Sequence, residues 1–183
     1  TGLLYDDLNW DQKDLGKYYH LIANMFHIIL YKPEIPNNTG NIIRLCANMG
    51  AQLHLIRPLG FELTESKLRR ASLDYSDLTV VTEHDSLHDY INLFSGRRIF
   101  AASAWAEHSY ADVKYEKEDS FLFGPESKGL SDWIFKEFPD IKPILIPMAA
   151  DNRSLNVANS VSVIGYEAWR QNGFFGRRGT RIR

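Results

Sequence analysis

Three polar, turn-rich segments of the chain carry the side chains whose types and spacing could do chemistry. They are PEIPNNTGNIIR (33–44), FGPESKGL (123–130) and IPMAADNRSLNVANSVSVIGYEAWRQ (146–171). In the third segment a polar loop runs directly into a long helix, which we predict to begin with Ser154, Leu155 and Asn156. The first turn of a helix has free backbone N–H groups, so this junction is predicted to be a ligand site.

The second segment offers a close backbone approach and one carboxylate. Gly124 and Gly129 lack a Cβ, and Pro125 stiffens the turn between them. Glu126 is the lone carboxylate beside this turn, and its alternative interpretation is a glutamate that caps a helix or forms a salt bridge. Because the second and third segments lie about twenty residues apart, we expect them to form two walls of one pocket.

The first segment combines two prolines and a double asparagine with Thr39 and Gly40, just before a predicted helix. Backbone N–H groups at that helix start could hold an anion or a ribose. Asn38 or Thr39 could equally be a plain N-cap, with Arg44 a solvated helix residue. No GxGxxG follows the first strand and no GxxxxGKS/T occurs, which argues against the usual dinucleotide and nucleoside-triphosphate folds.

The amino-acid composition limits the classes of protein to which the chain could belong. The 183 residues are 44% apolar, which suits one well-buried domain. The 21 basic and 23 acidic residues nearly cancel, so RNA would have to be held by a local patch. A single cysteine, Cys46, is interpreted as a buried hydrophobe, and no CxxC metal motif exists.

The histidines lack metal-ligand spacing; His27, His54 and His84 are interpreted as strand or loop residues and His108 as an exposed loop residue.

Strands and helices are predicted to alternate along the chain. Strands are predicted at 26–31, 52–57, 78–82, 98–103, 120–124 and 143–147, and helices at 40–50, 65–71, 85–94, 130–138 and from Ser154 onward. This alternation predicts a mostly parallel sheet covered by helices on both faces. In the last helix Val157, Val161, Ile164 and Ala168 form one apolar stripe. Gly165 lies at its edge, where another helix could approach closely.

From Met25 to about Gly176 the chain resembles the SPOUT-class RNA ribose 2′-O-methyltransferases, with the three segments in the order of that family's three motifs. Within this family the sequence is most similar to the subgroup without an appended RNA-binding domain, the tRNA (cytidine/uridine wobble-position 2′-O)-methyltransferases. The stretches that carry this similarity are PEIPxNTGNIIRLCANxG, LRRAxLDY and YEAWRQxG. We therefore predict a methyltransferase domain at 25–176, an N-terminal extension of uncertain origin at 1–24 and a basic tail at 177–183.

The resemblance implies an α/β fold with a C-terminal trefoil knot, and S-adenosylmethionine as the methyl donor that leaves as S-adenosylhomocysteine. It also implies the residues that contact the donor, which are Ala102, Ser103, Gly124, Glu126, Ile146, Pro147, Met148, Ser154 and Leu155. No metal is expected, because the sulfonium is already an activated leaving group. A homodimer whose last helices pack together is implied as well, and the stripe with Gly165 is the surface we predict for it.

Three residues are expected to carry the catalysis. The resemblance implies a direct part for Arg44 in activating the ribose hydroxyl, although a guanidinium more naturally grips the phosphate beside the target. Ser154 and Asn156 are expected to orient the substrate and close the donor loop, unless Asn156 serves only in hydrogen bonding at the helix start. Asn41 and Glu126 are predicted to tie the first and second segments together.

RNA contact is assigned to basic residues. Lys67, Arg69 and Arg70 cluster on SKLRRASLDY and are predicted to dock phosphates, with Arg153, Arg170 and the tail arginines adding further contacts. No apolar run approaches the roughly 20 residues that span a bilayer, and we expect a cytoplasmic protein.

The predicted reaction is methyl transfer to the ribose 2′-OH of nucleotide 34, in the anticodon loop of tRNA and in particular of leucine isoacceptors. Two alternatives stay open at this point. One is a 2′-O-methyltransferase acting on another tRNA or ribosomal RNA ribose, which would use the same residues. The other is a catalytically inactive relative that binds RNA.

Overall fold

The computed structural model describes residues 26–62 and 81–177. Within these ranges the chain forms one six-stranded sheet with the order β3-β2-β1-β5-β4-β6. The strands are β1 (His27–Tyr31), β2 (Gln52–Ile56), β3 (Val81–His84), β4 (Ile99–Ala102), β5 (Ser120–Phe123) and β6 (Lys142–Ile144). All five pairings are parallel, which confirms the predicted sheet. The trefoil knot stays a prediction.

Helices cover both faces of this sheet, as the alternation of elements predicted. They are α1 (Pro36–Met49), α2 (Leu87–Leu93), α3 (Asp132–Glu137) and α4 (Val157–Gln171), with a 3-10 turn at Tyr110–Asp112. Successive strand residues point to opposite faces, so Ile28 packs with α1 and α4 while Ile29 packs with α2 and α3. Of the described helices, none is both long and apolar enough to cross a membrane.

Both helices that flank the polar segments begin where the sequence did not predict. Helix α1 starts at Pro36, four residues early, because proline at the first helical position has no N–H to leave unpaired. The N-cap interpretation of Asn38 or Thr39 was therefore wrong. Helix α4 starts at Val157 rather than Ser154, because the Asn156 side chain accepts from the first N–H groups as its N-cap. The predicted helix at 65–71 and most of the strand at 78–82 lie outside the described residues.

The apolar stripe of α4 faces the chain's own core. Val161, Ile164 and Ala168 are fully buried against the sheet and α1. A Cβ built on Gly165 would lie 2.9 Å from Met49 Cε, so the helix that approaches Gly165 closely is α1. The prediction that this stripe forms a dimer surface was wrong, because its area is already used within one chain.

Three histidines, His27, His54 and His84, form a buried cluster on the other side of the sheet. His27 Nδ1 and Tyr90 Oη lie 2.9 Å apart, as do His54 Nδ1 and His84 Nε2, and Tyr90 Oη lies 2.8 Å from Ser120 Oγ. All three lie on strands, as predicted. Burial lowers the pKa of His27 to about 3, and it also lowers the pKa values of His54 and His84. The cluster is therefore neutral at pH 7.

At the carboxyl end of β5 two backbone segments touch. A Cβ built on Gly124 would lie 2.5 Å from Leu130 N and 2.8 Å from Gly129 O, so no side chain fits there. Gly129 itself has φ of 67°, in the left-handed region that glycine favours. The prediction of a close backbone approach at these two glycines is confirmed, and it brings the two ends of the second segment together.

We expect the histidine cluster to make folding stability fall as pH falls. The unfolded state binds protons below pH about 6.5 while the folded cluster does not, so the stabilisation is complete above pH about 6.5 and is lost toward pH 3. Each histidine that stays neutral contributes a slope of about 1.4 kcal/mol per pH unit. Urea unfolding of His27→Gln between pH 7.5 and 5 should give a shallower slope than the native protein. His108→Gln, at an exposed histidine, should keep the native slope; an equal change in both would contradict the assignment.

Replacing two glycines by alanine should lower the unfolding free energy by different amounts, because one new Cβ would meet backbone atoms and the other a side chain. Gly124→Ala meets only backbone atoms and should cost about 1–3 kcal/mol of unfolding free energy. Gly165→Ala meets the flexible tip of Met49 and gains up to about 1 kcal/mol of helix propensity, so its net change should be near zero. Thermal and urea unfolding of the two variants measure this difference, and equal losses would refute it.

Candidate active site

The polar segments meet at the carboxyl edge of the sheet, where parallel α/β proteins bind ligands. Strands β1 and β5 are neighbours, but the chain leaves β1 toward β2 on one side and leaves β5 toward β6 on the other. The connections therefore diverge and open a crevice between the two strands. The first segment follows β1, the second follows β5, and the third follows β6.

This crevice contains a cavity of about 500 Å³, a size that accommodates a small molecule. Its walls include predicted residues from the loops after β4, β5 and β6. These are Ala102, Ser103, Gly124, Glu126, Ile146, Met148, Ser154, Leu155 and Asn156. The second and third segments thus form two walls of one pocket, as predicted, and the first segment adds Ile35 and Asn38.

The carboxylate of Glu126 clasps the first segment to the second. Glu34 N donates to Glu126 Oε2 at 2.8 Å, and Ile35 N donates to Oε1 at 3.2 Å. Asn38 Nδ2 also donates to Oε1, at 3.1 Å. Both carboxylate oxygens therefore accept from the first segment, from the loop before α1 and from the first turn of α1, and we call these three bonds the Glu126 clasp. Its geometry gives Glu126 a positioning role at the wall of the cavity.

Asn38 joins the clasp to the third segment. Its Nδ2 donates to Glu126, while its Oδ1 accepts from Asn156 Nδ2 at 3.0 Å. The side chain is only 8% exposed, so these two bonds satisfy a polar group that burial would otherwise penalise. We predicted that Asn41 ties the first segment to the second together with Glu126; the structure shows that Asn38 does so instead. The double asparagine was the signal, but neither residue could be chosen without the helix register.

Two further hydrogen bonds join the same two segments, and here the carboxylate belongs to the first segment and the donors to the second. The Glu34 carboxylate accepts from Ser127 N and Ser127 Oγ, both at 2.8 Å. These bonds, with the Ser127 hydroxyl first, hold the pKa of Glu34 below its usual value. Glu34 was not among the predicted residues. The reciprocal arrangement of Glu34 and Glu126 fixes the spacing of the two loops from both sides.

Asn156 forms hydrogen bonds at the start of α4, which was one of the two interpretations of this residue; its part in orienting the substrate stays a prediction. Its Oδ1 caps α4 by accepting from Ala158 N at 2.8 Å and Asn159 N at 3.4 Å. Its Nδ2 binds Asn38 at the same time. The start of α4 is therefore fixed at the cavity wall, with Ser154 and Leu155 exposed in the loop just before it.

The remaining predicted residues lie outside the cavity lining. Asn41 and Arg44 occupy the exposed side of α1, and Pro147 and Arg153 are exposed in the loop that leads to α4. Lys67, Arg69 and Arg70, predicted to dock phosphates, lie outside the described residues.

The cavity offers chemistry suited to a donor with both apolar and polar parts. Ile146 and Leu155 supply apolar surface, while Ser103 and Ser154 supply hydroxyls. The contact of Gly124 with the Gly129–Leu130 backbone leaves main chain as part of the wall. Such a surface fits an adenine ring and a methionine tail. Within residues 26–62 and 81–177, no group of three or more His, Cys, Asp or Glu is placed to hold a metal ion.

Comparison with known proteins agrees with this geometry. The SpoU rRNA Methylase family model matches residues 25–166. A tRNA (cytidine(34)-2′-O)-methyltransferase of Escherichia coli (strain K12) is 47% identical over 152 residues, covering 83% of this chain and 97% of that protein. A protein of the same description from Methylovorus glucosotrophus is 45% identical, covering 83% and 99%.

Solved structures agree in fold. A structure concerned with the 2-OH methylation of C/U34 on tRNA superposes with a TM-score of 0.75 at 44% identity, covering 82% of this chain and 97% of that one. The SpoU methyltransferase AviRb of Streptomyces viridochromogenes, solved with AdoMet, gives a TM-score of 0.69 at 24% identity, covering 85% and 60%. With its three segments joined at one cavity, this chain belongs to the SpoU rRNA methylase family of methyltransferases.

Proposed function

We propose that this protein transfers a methyl group from S-adenosylmethionine to the ribose 2′-OH of nucleotide 34, a cytidine or uridine, in the anticodon loop of tRNA. The observation that carries the proposal is the chain of bonds from Glu126 through Asn38 to Asn156, which joins all three segments at one cavity. Relatives described as tRNA (cytidine(34)-2′-O)-methyltransferases align over almost their whole length and support the choice of substrate.

Methyl transfer to an alcohol needs alignment above all, because the oxygen, the methyl carbon and the leaving sulfur must lie in line. When bound, S-adenosylmethionine supplies an activated methyl group. The chain's contribution is to fix the walls: the Glu126 clasp positions the loops after β1 and β5, and Asn156 positions the loop before α4. Ser154, exposed at the cavity wall, is placed to orient the ribose hydroxyl.

Arg44 acts, in this proposal, on the phosphate next to the target ribose. Its exposed position on α1, outside the cavity lining, suits contact with the RNA backbone better than contact with a hydroxyl inside the cavity. A guanidinium also binds phosphate oxygens in a bidentate manner and stays protonated at neutral pH. Arg153 and Lys128 add exposed positive charge on the neighbouring loops. Asn41, one turn before Arg44, faces the same side.

We further propose that the substrates are leucine isoacceptors, that Lys67, Arg69 and Arg70 dock phosphates of the RNA, and that the protein is cytoplasmic. A different tRNA or ribosomal RNA ribose would use the same cavity. An inactive RNA-binding relative is disfavoured because residues of all three segments line the same cavity.

We also propose a homodimer that uses the outer side of α4. The inner side of the helix is buried in the core. On the outer side Tyr166 is 42% exposed and Val163 is partly exposed. The Tyr166 ring is held edge-on against Trp169, with centroids 5.5 Å apart. A tyrosine held rigidly in this way is typical of interface centres.

The test of the function is to incubate the protein with labelled S-adenosylmethionine and tRNA from cells that lack this modification, and to map ribose methylation by nucleotide. We expect methyl only at position 34. Arg44→Ala should lower turnover at least about 100-fold, because losing a positioning contact misaligns the reacting atoms. Binding of S-adenosylmethionine, measured by calorimetry, should stay unchanged.

Arg57→Ala is the matched control, since Arg57 is an exposed arginine outside the cavity lining that pairs with Glu83. It should retain native turnover. Methyl at another ribose would reject the substrate assignment while keeping the reaction. Donor binding without transfer to any RNA would favour the inactive relative.

For the dimer, Tyr166→Glu should convert the protein from dimer to monomer in light scattering, because the new carboxylate would be buried without a partner. Leu93→Glu changes a more exposed apolar residue on α2, on the other face of the sheet, and should leave the mass unchanged. A native protein that is monomeric at micromolar concentration would reject the dimer.

A further inference from the structure

Exposed apolar side chains are concentrated around the cavity. Among residues 26–62 and 81–177, seven large hydrophobic residues are exposed, and four of them line the cavity: Ile35, Trp105, Met148 and Leu155. Trp105 stands apart from the rest with 91% exposure, against 39–44% for the other three. A tryptophan is costly to leave in water, so a ring held outward beside a binding cavity indicates something that covers it.

Hydrogen bonds hold the backbone of the turn that carries Trp105. Ser103 N donates to Ile144 O at 3.0 Å, which ties the start of the turn to β6. Ser103 Oγ accepts from Trp105 N, and Ser103 O accepts from Ala106 N, each at 3.3 Å. Ala106 is buried, so the turn is anchored on both sides of the tryptophan. A ring whose backbone is already ordered loses little conformational entropy when a ligand covers it.

The ligand that suits this ring is planar and carries negative charge nearby. Lys128, exposed on the loop after β5, lines the same cavity and offers a cation to a phosphate. Of the exposed apolar residues at the cavity only Trp105 is almost fully exposed, and one such ring is far smaller than the apolar centre of a protein–protein interface. Unpaired bases of RNA, by contrast, are bound by stacking on isolated aromatic rings, with cations along the backbone.

We propose that Trp105 stacks against an unpaired base next to the nucleotide whose ribose enters the cavity. The inference rests on the proposed function, because it takes the RNA loop as the substrate. By holding the neighbouring base at the rim, Trp105 stabilises the splayed conformation in which the target ribose can reach the donor. Its contribution is to RNA binding, so it acts on KM rather than on the chemical step.

Single variants test the ring's chemistry with an anticodon stem-loop RNA as substrate. Trp105→Ala should raise KM for RNA roughly 5- to 150-fold, the range of one base–aromatic stack. Trp105→Phe should recover most of this loss, while Trp105→Leu, which has bulk without a π face, should not. Trp133→Ala, at a half-exposed tryptophan on α3 outside the cavity lining, should match the native enzyme.

Stem-loops with one abasic nucleotide complete the test. At one unpaired position beside nucleotide 34, removing the base should raise KM for RNA as much as Trp105→Ala does. The Trp105→Ala variant with that abasic RNA should show no further rise in KM. Additive losses at every position, or a native KM in Trp105→Ala, would overturn the inference. So would weaker S-adenosylmethionine binding in Trp105→Ala, which would assign the ring to the donor, or a changed mass in light scattering, which would assign it to a second copy of the chain.

The two proposals fail separately. Stem-loop affinity, measured by fluorescence anisotropy without methyl transfer, reports the stack even if the native protein methylates another ribose. Full methylation at position 34 with no effect of Trp105→Ala would leave the proposed function in place and overturn only the stacking role.

Discussion

The carboxylate of Glu126 bridges two loops whose strands are adjacent but whose connections run to opposite halves of the sheet. Its acceptors are filled by Glu34 N, Ile35 N and Asn38 Nδ2, across 88–92 residues of sequence. Asn38 in turn accepts a hydrogen bond from Asn156, which lies another 118 residues along the chain. A crevice that the topology would leave open thus becomes a cavity with fixed walls, and its shape depends on this small network.

Packing behind the cavity supports the same arrangement. The Gly124 backbone lies against Gly129 and Leu130, which closes the loop that carries Glu126. On the sheet face below, α1 and α4 pack together at Gly165, where the tip of the Met49 side chain fills the space that a Cβ would need. A backbone contact at Gly124 and a side-chain contact at Gly165 therefore support the wall of the cavity.

The sequence predicted the sheet because strands and turns depend on local pattern, whereas most of the cavity residues were implied by the resemblance to the SPOUT-class methyltransferases. Alternating apolar runs marked the strands, and glycine with proline marked the turns that follow them. It did not predict that Asn38 rather than Asn41 binds Glu126, since this depends on where α1 begins and hence on a proline. It also placed Gly165 at a dimer surface, because an apolar stripe does not reveal whether the chain's own helix covers it. The exposure of Trp105 likewise follows from the fold of its turn.

Helices α1 and α4 also share a direction. They meet at Asn38 with Asn156 and again at Met49 with Gly165, which are about 16 Å apart along α1 and about 14 Å apart along α4. Such equal spacing requires the helices to run parallel, with both amino ends at the cavity. Each helix dipole places roughly half a positive charge at its amino end. At the amino end of α1 this positive charge lies beside the Glu126 carboxylate, which accepts from Ile35 N and Asn38 Nδ2. The bonds that position the loops therefore also place a negative charge where the helix dipole favours one.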